Sequence, residues 1–327
     1  MSSLVLSPRV LRNAGYGLVA LLVTVIAILP MFDSQSVTYA MGLILQIMLF
    51  VYLAQAWNIA GGFAGLFSLG HAAFFGLGAY AYAIGSAKYG LDPVVCFAIG
   101  ISLAAGLGVI TAVISTRLSG MFFAMVTLGL NEILLNLASQ LTWLTNGSAG
   151  TYLRKQFTVD ATTAYYIFLV LCILIFMLAA LVRHSKLGTM CVAVKENEAF
   201  ARALGVNPAP WKIAAVVISA IMTAIGGGFF AMYQGIVSPT MVFTFAVSIK
   251  MLIVTMIGGM GTLWGPLVGS FLILFDELVR ASLGAAFGGV SLIAYGAILV
   301  FAALFLPKGI MEAVRKHFLE RGSRHDG

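Results

Sequence analysis

The chain has 327 residues, of which 61% are hydrophobic and only 9% are charged, and its mean hydropathy is +1.05. Soluble proteins contain roughly 45–50% apolar residues, so this composition excludes a soluble enzyme or binding module. A net charge of +7 suits nucleic acid or an anionic surface, but in a membrane protein basic residues mark the cytoplasmic side. The composition therefore predicts a polytopic membrane protein. The three cysteines, Cys96, Cys172 and Cys191, follow no metal or redox spacing and are interpreted as packing residues.

Apolar runs of about 20 residues, the length that a helix needs to cross a bilayer, recur along the whole sequence. The first follows a basic flank and has no small-residue cleavage site, which predicts a retained span rather than a removed signal peptide. We expect an all-α bundle of about ten spans in a single transmembrane domain over 1–327, with a membrane region at 15–306, an internal loop at 184–211 and a tail at 307–327. The ten runs lie at about 15–32, 38–57, 66–87, 93–115, 119–140, 161–182, 212–234, 241–260, 265–283 and 289–306.

The basic residues predict the orientation of these spans. If the chain starts inside and crosses ten times, thirteen of the 18 Lys and Arg residues lie inside. Lys88, Arg154 and Lys155 lie outside, and Lys250 and Arg280 lie within apolar runs. Because basic residues concentrate in cytoplasmic loops, we expect both termini and loop 184–211 on the cytoplasmic side of the membrane.

Glycine clusters interrupt three of the apolar runs, at 60–85, 225–235 and 257–269. Isolated small residues in a membrane helix usually allow close packing, whereas the clusters in the first and third stretches predict broken or re-entrant helices. Broken segments in both halves of a transporter point to the translocation pathway, and these two stretches are candidates for an inverted repeat. The candidate pathway residues are Gly61, Gly62, Gly65, Ser68, His71, Thr127, Glu132, Gly258 and Gly259.

Two polar residues in these runs have alternative interpretations. His71 is either a buried, hydrogen-bonded histidine or a residue that lines the pathway. Glu132 has no basic residue nearby in its own run, so it either faces a cavity or is neutral.

Four charges lie in the eighth and ninth apolar runs, which a Gly-rich turn near residue 262 joins: Lys250, Asp276, Glu277 and Arg280. At a rise of 1.5 Å per residue, Lys250 and Asp276 lie about 18 and 21 Å from that turn, so their depths nearly match. An unpaired charge near the bilayer centre costs roughly 2.5–3.5 kcal/mol or more. We therefore predict that Lys250 pairs with one acid across the hairpin and that Arg280 pairs with another in its own helix. The four charges either hold helices together or take part in substrate passage.

One charged segment, "TMCVAVKENEAFARALGVNP" (189–208), stands in the middle of this apolar sequence. Residues at three- and four-residue spacing predict a short amphipathic helix over 190–204 that ends at Gly205 before Pro208. Such a helix lies on the membrane surface, is a loop helix without a partner, or presents a ridge to a soluble partner. Its apolar face would hold Met190, Ala193, Val194, Ala201 and Leu204, and its charged face Lys195, Glu198 and Arg202.

Three stretches in this order resemble the branched-chain amino-acid ABC permease family (LivM type). They are "WNIAGGFAGLFSLGHAAFFGLGAYAYA" (57–83), "GMFFAMVTLGLNEILLNLASQLTWLTNGSAG" (120–150) and "GTMCVAVKENEAFARALGVNPAPWK" (188–212). The resemblance covers about 40–310 and implies an ABC importer permease fold. It also implies a coupling helix in the groove of an ATP-binding subunit, formed by Lys195, Glu196, Asn197, Glu198, Arg202 and Gly205.

By the same resemblance the chain is a transport subunit, not an enzyme, and works with a second homologous permease, two ATP-binding subunits and a periplasmic binding protein. The sequence contains no G-x-x-x-x-G-K-[ST] motif, so we expect ATP and Mg²⁺ on the partner subunits and no cofactor on this chain. The substrates implied are Leu, Ile and Val, or urea, short amides and aromatic acids, as in relatives. An ion-coupled secondary transporter, in which the intramembrane charges are coupling sites, is the alternative from a different class.

Overall fold

The computed structural model describes residues 29–31, 35–118, 120–274 and 309–311. Almost all regular structure in these ranges is helical, and the two strands are only two residues long. The strands β1 (Thr151–Tyr152) and β2 (Ile236–Val237) pair antiparallel. The helices are α1 (Gln35–Asn58), α2 (His71–Ala87), α3 (Pro93–Ser115), α4 (Met121–Gln140), α5 (Thr142–Thr145), α6 (Ala161–His184), α7 (Lys186–Glu196), α8 (Glu198–Ala203), α9 (Pro208–Gln234), α10 (Pro239–Val242), α11 (Phe245–Gly259) and α12 (Gly265–Gly269). A π-helical segment (Ile59–Phe63) follows α1, and 3₁₀ turns cover Leu29–Met31, Gly147–Ala149 and Lys155–Phe157.

Six segments of the described chain are long and apolar enough to cross a membrane. The all-α membrane fold is thus as expected, but the expected count of ten spans is not confirmed. The tenth run and nearly all of the first lie outside the described residues, and the third is helical only from His71 because residues 64–70 leave the helix. The six segments are Val37–Phe63, Pro93–Ser115, Met121–Gln140, Lys155–His184, Pro208–Gln234 and Pro239–Gly259.

Helices α2, α3 and α9 form a closely packed core. A Cβ atom at Gly78 of α2 would overlap the carbonyl of Ala224, and one at Gly227 of α9 would overlap the carbonyl of Phe75. The two helices therefore touch backbone to backbone, as small residues permit in membranes. The glycine cluster of α9 lies within a continuous helix, so it serves packing and not a break.

The connecting segments of the described chain gather at two ends of the bundle. At one end, Leu153 N–H donates to the carbonyl of Gly235 at 2.8 Å, and the Tyr82 hydroxyl donates to the carbonyl of Phe157 at 2.9 Å. At the other end, Thr116 and loop 184–211 line one cavity. Loops predicted to share a side of the membrane are therefore neighbours.

Candidate functional site

The first glycine cluster breaks the helical backbone between α1 and α2, as predicted. Helix α1 continues into the π-helical segment Ile59–Phe63, and residues 64–70 are non-helical until α2 begins. Gly65 has φ +69°, a conformation that only glycine adopts without strain. Most of the break is buried in protein, the setting in which such backbone survives at membrane depth, although Gly65 itself is exposed.

Buried side chains hold the 64–70 segment in place. His71 bonds through Nδ1 to the Ser68 hydroxyl at 3.0 Å and through Nε2 to the Ser219 hydroxyl at 2.8 Å. Thr127 Oγ1 accepts from the backbone N–H of Leu69 at 3.0 Å, and Trp57 Nε1 donates to the carbonyl of Ser68 at 2.9 Å. His71 is therefore buried and hydrogen-bonded, the first of its two interpretations, and Ser68 and Thr127 share that role.

The second glycine cluster forms the other predicted break and meets the first. Helix α11 ends at Gly259, and a turn leads to α12. The side chain of Asn58, at the end of α1, accepts from Gly261 N–H at 2.9 Å and donates to the carbonyl of Thr262 at 2.8 Å. A Cβ at Gly62 would lie 2.7 Å from Gly261 N, so the two breaks touch directly.

The other glycines of these clusters also pack closely. A Cβ at Gly61 would overlap the Trp57 ring, and one at Gly258 would overlap the carbonyl of Gly265. The structure thus brings five of the nine candidate pathway residues, all of them glycines, to one junction of two breaks.

Loop 184–211 contains two helices, so the prediction of one helix over 190–204 is wrong. The backbone of Asn197 is extended (φ −157°, ψ 102°), and its Oδ1 accepts from Phe200 N–H at 2.9 Å. An asparagine side chain that caps a new helix competes with continuation of the old one. The predicted apolar face is also only partly buried: Val194 and Ala201 are buried, but Leu204 is 68% exposed.

The charges of this loop are partnered within the chain. Glu198 accepts from Lys212 at 2.6 Å and from Arg202 at 2.7 Å. Partial burial raises the pKa of Glu198, but the hydrogen bonds from Lys212 and Arg202 outweigh it, so the pKa lies below its ordinary value. Lys195 Nζ donates to the carbonyl of Gly62 at 3.0 Å. All three residues of the predicted charged face thus bond within the chain, although Lys195 and Arg202 remain exposed, as does Glu196.

Loop 184–211 instead presents an apolar surface outward. Phe200 and Leu204 are 64% and 68% exposed, and Gly205 ends the segment with φ +82°. A cavity of about 340 Å³ opens beside them, lined by Arg202 and Lys212 among others. The result is an apolar ridge next to a polar concavity.

Glu132 lies in the middle of α4. It is half-buried on α4, and within the described ranges no side chain or N–H donates to its carboxylate. Asn136, one turn further along α4, is exposed. In the part of the chain that the structure describes, no ion pair links Glu132 to the glycine junction.

A second cavity, of about 230 Å³, opens between α1, α2, α9 and the α10–α11 segment. Its walls are mainly apolar, with Leu45, Phe50, Phe230 and Met241, and the Gln234 amide is one of few polar groups. Cavities with apolar walls and few polar groups suit small ligands with apolar side chains.

The predicted pairing of Lys250 with an acid falls mostly outside the described residues, because Asp276, Glu277 and Arg280 lie there. Lys250 Nζ is 5.4 Å from the centroid of the Phe50 ring. The turn near 262 joins α11 to α12 as expected, and the pairing stays a prediction.

Two residues of the site were not anticipated from the sequence. Asn58 is a polar residue directly before a glycine cluster in an apolar run, and this position indicates a side chain that hydrogen-bonds the free backbone groups of a broken helix. Lys212, a basic residue that the sequence places at the start of an apolar run, is only 7% exposed because it lies in the buried end of α9.

Comparison with known proteins gives consistent results. Residues 39–305 match the family model "Branched-chain amino acid transport system / permease component". The chain is 30% identical over 299 residues to the high-affinity branched-chain amino acid transport system permease protein LivM of Escherichia coli K12, covering 82% of this chain and 69% of LivM. It is 26% identical over 159 residues to LivH of the same organism (48% and 50%), and 29% identical over 146 residues to BraD of Pseudomonas aeruginosa (44% and 46%). No solved structure matches.

Proposed function

Because the chain belongs to the family of permease components of branched-chain amino acid transport systems, we propose that it forms the translocation pathway of an ATP-driven importer of branched-chain amino acids. The observation that carries the mechanism is loop 184–211. Lys195 and Glu198 bond within the chain, to Gly62 and Lys212, whereas the apolar side chains of Phe200 and Leu204 point outward. An exposed apolar ridge at a membrane-protein loop is suited to a groove in a soluble partner.

The partner of this ridge is an ATP-binding subunit. Phe200 and Leu204 insert into its groove. Glu198, which also pairs with Arg202 in its own helix, holds α8 against Lys212 at the start of α9. ATP-driven closure of two such subunits moves loop 184–211, and the spans follow. ATP and Mg²⁺ bind to those subunits, since the sequence has no motif for holding nucleotide phosphates.

The remaining partners are a second homologous permease and a periplasmic binding protein that delivers the substrate. We place loop 184–211 and both termini in the cytoplasm of the bacterial inner membrane. The distribution of Lys and Arg supports this orientation.

Leu, Ile and Val are the proposed substrates. The mainly apolar 230 Å³ cavity beside α1 supports an aliphatic side chain over urea or a short amide, which have little apolar surface to bury. A thermal-shift screen of the binding protein that works with this chain tests the choice. Stabilisation by urea, short amides or aromatic acids, and not by Leu, Ile or Val, contradicts it.

The docking ridge is tested by Phe200→Asp in the complex reconstituted in proteoliposomes. A charge at this position opposes insertion into an apolar groove, so we expect the ATP-binding subunits to co-purify poorly and ATP-driven leucine uptake to fall at least about tenfold. Thr189→Asp adds the same charge to exposed α7 in the same loop and is the control. Equal uptake in the two variants argues against docking through Phe200.

The same preparation separates the importer from an ion-coupled transporter. Uptake by the complex should require ATP and survive collapse of the ion gradients. Uptake by the isolated chain, driven by an ion gradient without ATP, overturns the proposal.

A further inference from the structure

The end of α1 needs hydrogen-bond donors that its own helix cannot supply. The last carbonyls of a helix have no intrahelical partner, and they carry the negative end of the helix dipole. The helix that runs through α1 and the π-helical segment has no basic residue in its last turn. Two cations from other elements approach instead: the Arg183 guanidinium lies 5.7 Å from the Phe63 ring centroid, and Lys195 Nζ donates to the Gly62 carbonyl at 3.0 Å.

The aliphatic part of Lys195 fits against the break as closely as its ammonium does. A Cβ at Gly65 would lie 2.8 Å from Lys195 Cγ, so the absence of a side chain at Gly65 makes room for the lysine. Lys195 thus contacts the first break at two points three residues apart.

Lys195 also reaches the second break. A Cβ at Gly261 would lie 3.4 Å from Lys195 Nζ and 2.9 Å from the Gly62 carbonyl oxygen. The ammonium therefore stands where the two breaks meet, beside the bridge that Asn58 makes between them.

The position of Lys195 in loop 184–211 connects the docking helix α8 with the two breaks. Lys195 lies in the last turn of α7, two residues before the extended backbone of Asn197 separates α7 from α8. The docking residues of α8 and the contact with the breaks are thus on opposite sides of one bend. A displacement of α8 reaches the breaks through the end of α7.

We propose that Lys195 is a positioning residue that transmits movement of loop 184–211 to both broken helices. The inference rests on the proposed function and deepens it. Phe200 and Leu204 dock to the ATP-binding subunit, whereas the hydrogen bond between the Lys195 ammonium and the Gly62 carbonyl transmits the movement to the breaks. Loss of the ammonium leaves docking and ATP hydrolysis in place but disconnects them from the pathway.

The test measures leucine uptake and ATP hydrolysis in the same proteoliposomes of the full complex. Lys195→Met keeps the stem and removes the donor, and Lys186→Met removes a charge from the exposed start of the same helix as the control. We expect the Lys195→Met complex to retain its ATP-binding subunits and its ATP hydrolysis. The amount of leucine moved per ATP should fall at least about fivefold, since typical couplings between two sites begin near that factor. Lys195→Arg, which keeps a donor, should recover most of the ratio.

A rescue experiment in the folded complex tests the ammonium itself. Lys195→Cys is treated with 2-bromoethylamine, which restores an ammonium at nearly the original length, with Lys186→Cys treated in parallel. The treatment should raise the leucine-to-ATP ratio of the first variant and leave the second unchanged.

Three results overturn the inference alone: equal ratios in Lys195→Met and Lys186→Met, loss of the ATP-binding subunits specifically from Lys195→Met, or no rescue by the restored ammonium. Failure of the unmodified complex to take up leucine with ATP overturns the proposed function and this inference with it.

Discussion

At the scale of single residues, Asn58 joins two parts of the chain that are 203 residues apart. Its side chain supplies both a donor and an acceptor to the turn after α11, and it is fully buried. A buried amide that meets its partners stabilises a unique arrangement, whereas a lost partner leaves a buried polar group without a hydrogen bond.

We therefore predict that Asn58→Ala lowers the free energy of unfolding in detergent by about 1–3 kcal/mol, because Gly261 N–H and the Thr262 carbonyl lose their partner. Asn136→Ala is the control: Asn136 is exposed and its amide bonds only within its own helix, so a change within about 0.5 kcal/mol is expected. Equal losses in the two variants would count against the bridge between the breaks.

The residue scale is also where prediction from the sequence stops. Lys195 was correctly placed in a charged loop segment, but its partner is a backbone carbonyl 133 residues away. Helical periodicity relates residues three and four apart and carries no information on such contacts. Asn197 shows that a local contact can also defeat the prediction. Its side chain caps a new helix and interrupts the continuous helix that the spacing of the apolar residues predicts.

At the scale of elements, the glycines of this chain divide into two kinds. Gly61, Gly62 and Gly65 end a helix, whereas Gly226 to Gly228 lie within α9 and allow close approach of α2, α1 and α3. The clustering of the first set in the sequence predicts a broken helix. The exact partners of the second depend on which helices pack together, which the sequence pattern does not indicate.

Packing glycines and exposed ones should respond differently to a methyl group. Gly227→Ala places a Cβ against the Phe75 carbonyl and should cost about 1–3 kcal/mol in unfolding free energy, seen as a lower melting temperature in detergent. Gly129→Ala on α4 meets nothing within 4 Å and should be neutral or stabilising by up to about 1 kcal/mol. A Gly227→Ala variant as stable as the parent would refute the backbone contact between α2 and α9.

At the scale of the whole molecule, α4 has an outward face that one chain leaves uncovered. Met121, Phe122, Met125, Ile133 and Leu137 are exposed there, and Glu132 and Asn136 stand among them. Lipid accommodates the apolar residues but not a carboxylate, and intramembrane charges almost always face a bundle interior or a water-filled cavity.

We predict that the α4 face lines an aqueous path in the assembled complex. Asn136→Cys should react with a membrane-impermeant maleimide in that complex, well above the background of the parent chain. Leu174→Cys, on an exposed apolar face of α6, should stay unreactive as a lipid-facing control. Labelling of Leu174→Cys with no labelling of Asn136→Cys would assign the faces the other way round.

The backbone contact between α2 and α9 has a mechanical consequence. Two helices whose ridges are carbonyl groups seated on glycines cannot slide or roll without collision, so they travel as one rigid block together with α3. When the path switches from opening on one side of the membrane to opening on the other, the backbone must bend. It bends where it is already free of helical hydrogen bonds. Among the described residues, two stretches of this kind are 64–70 and 260–264, and the side chain of Lys195 lies against both.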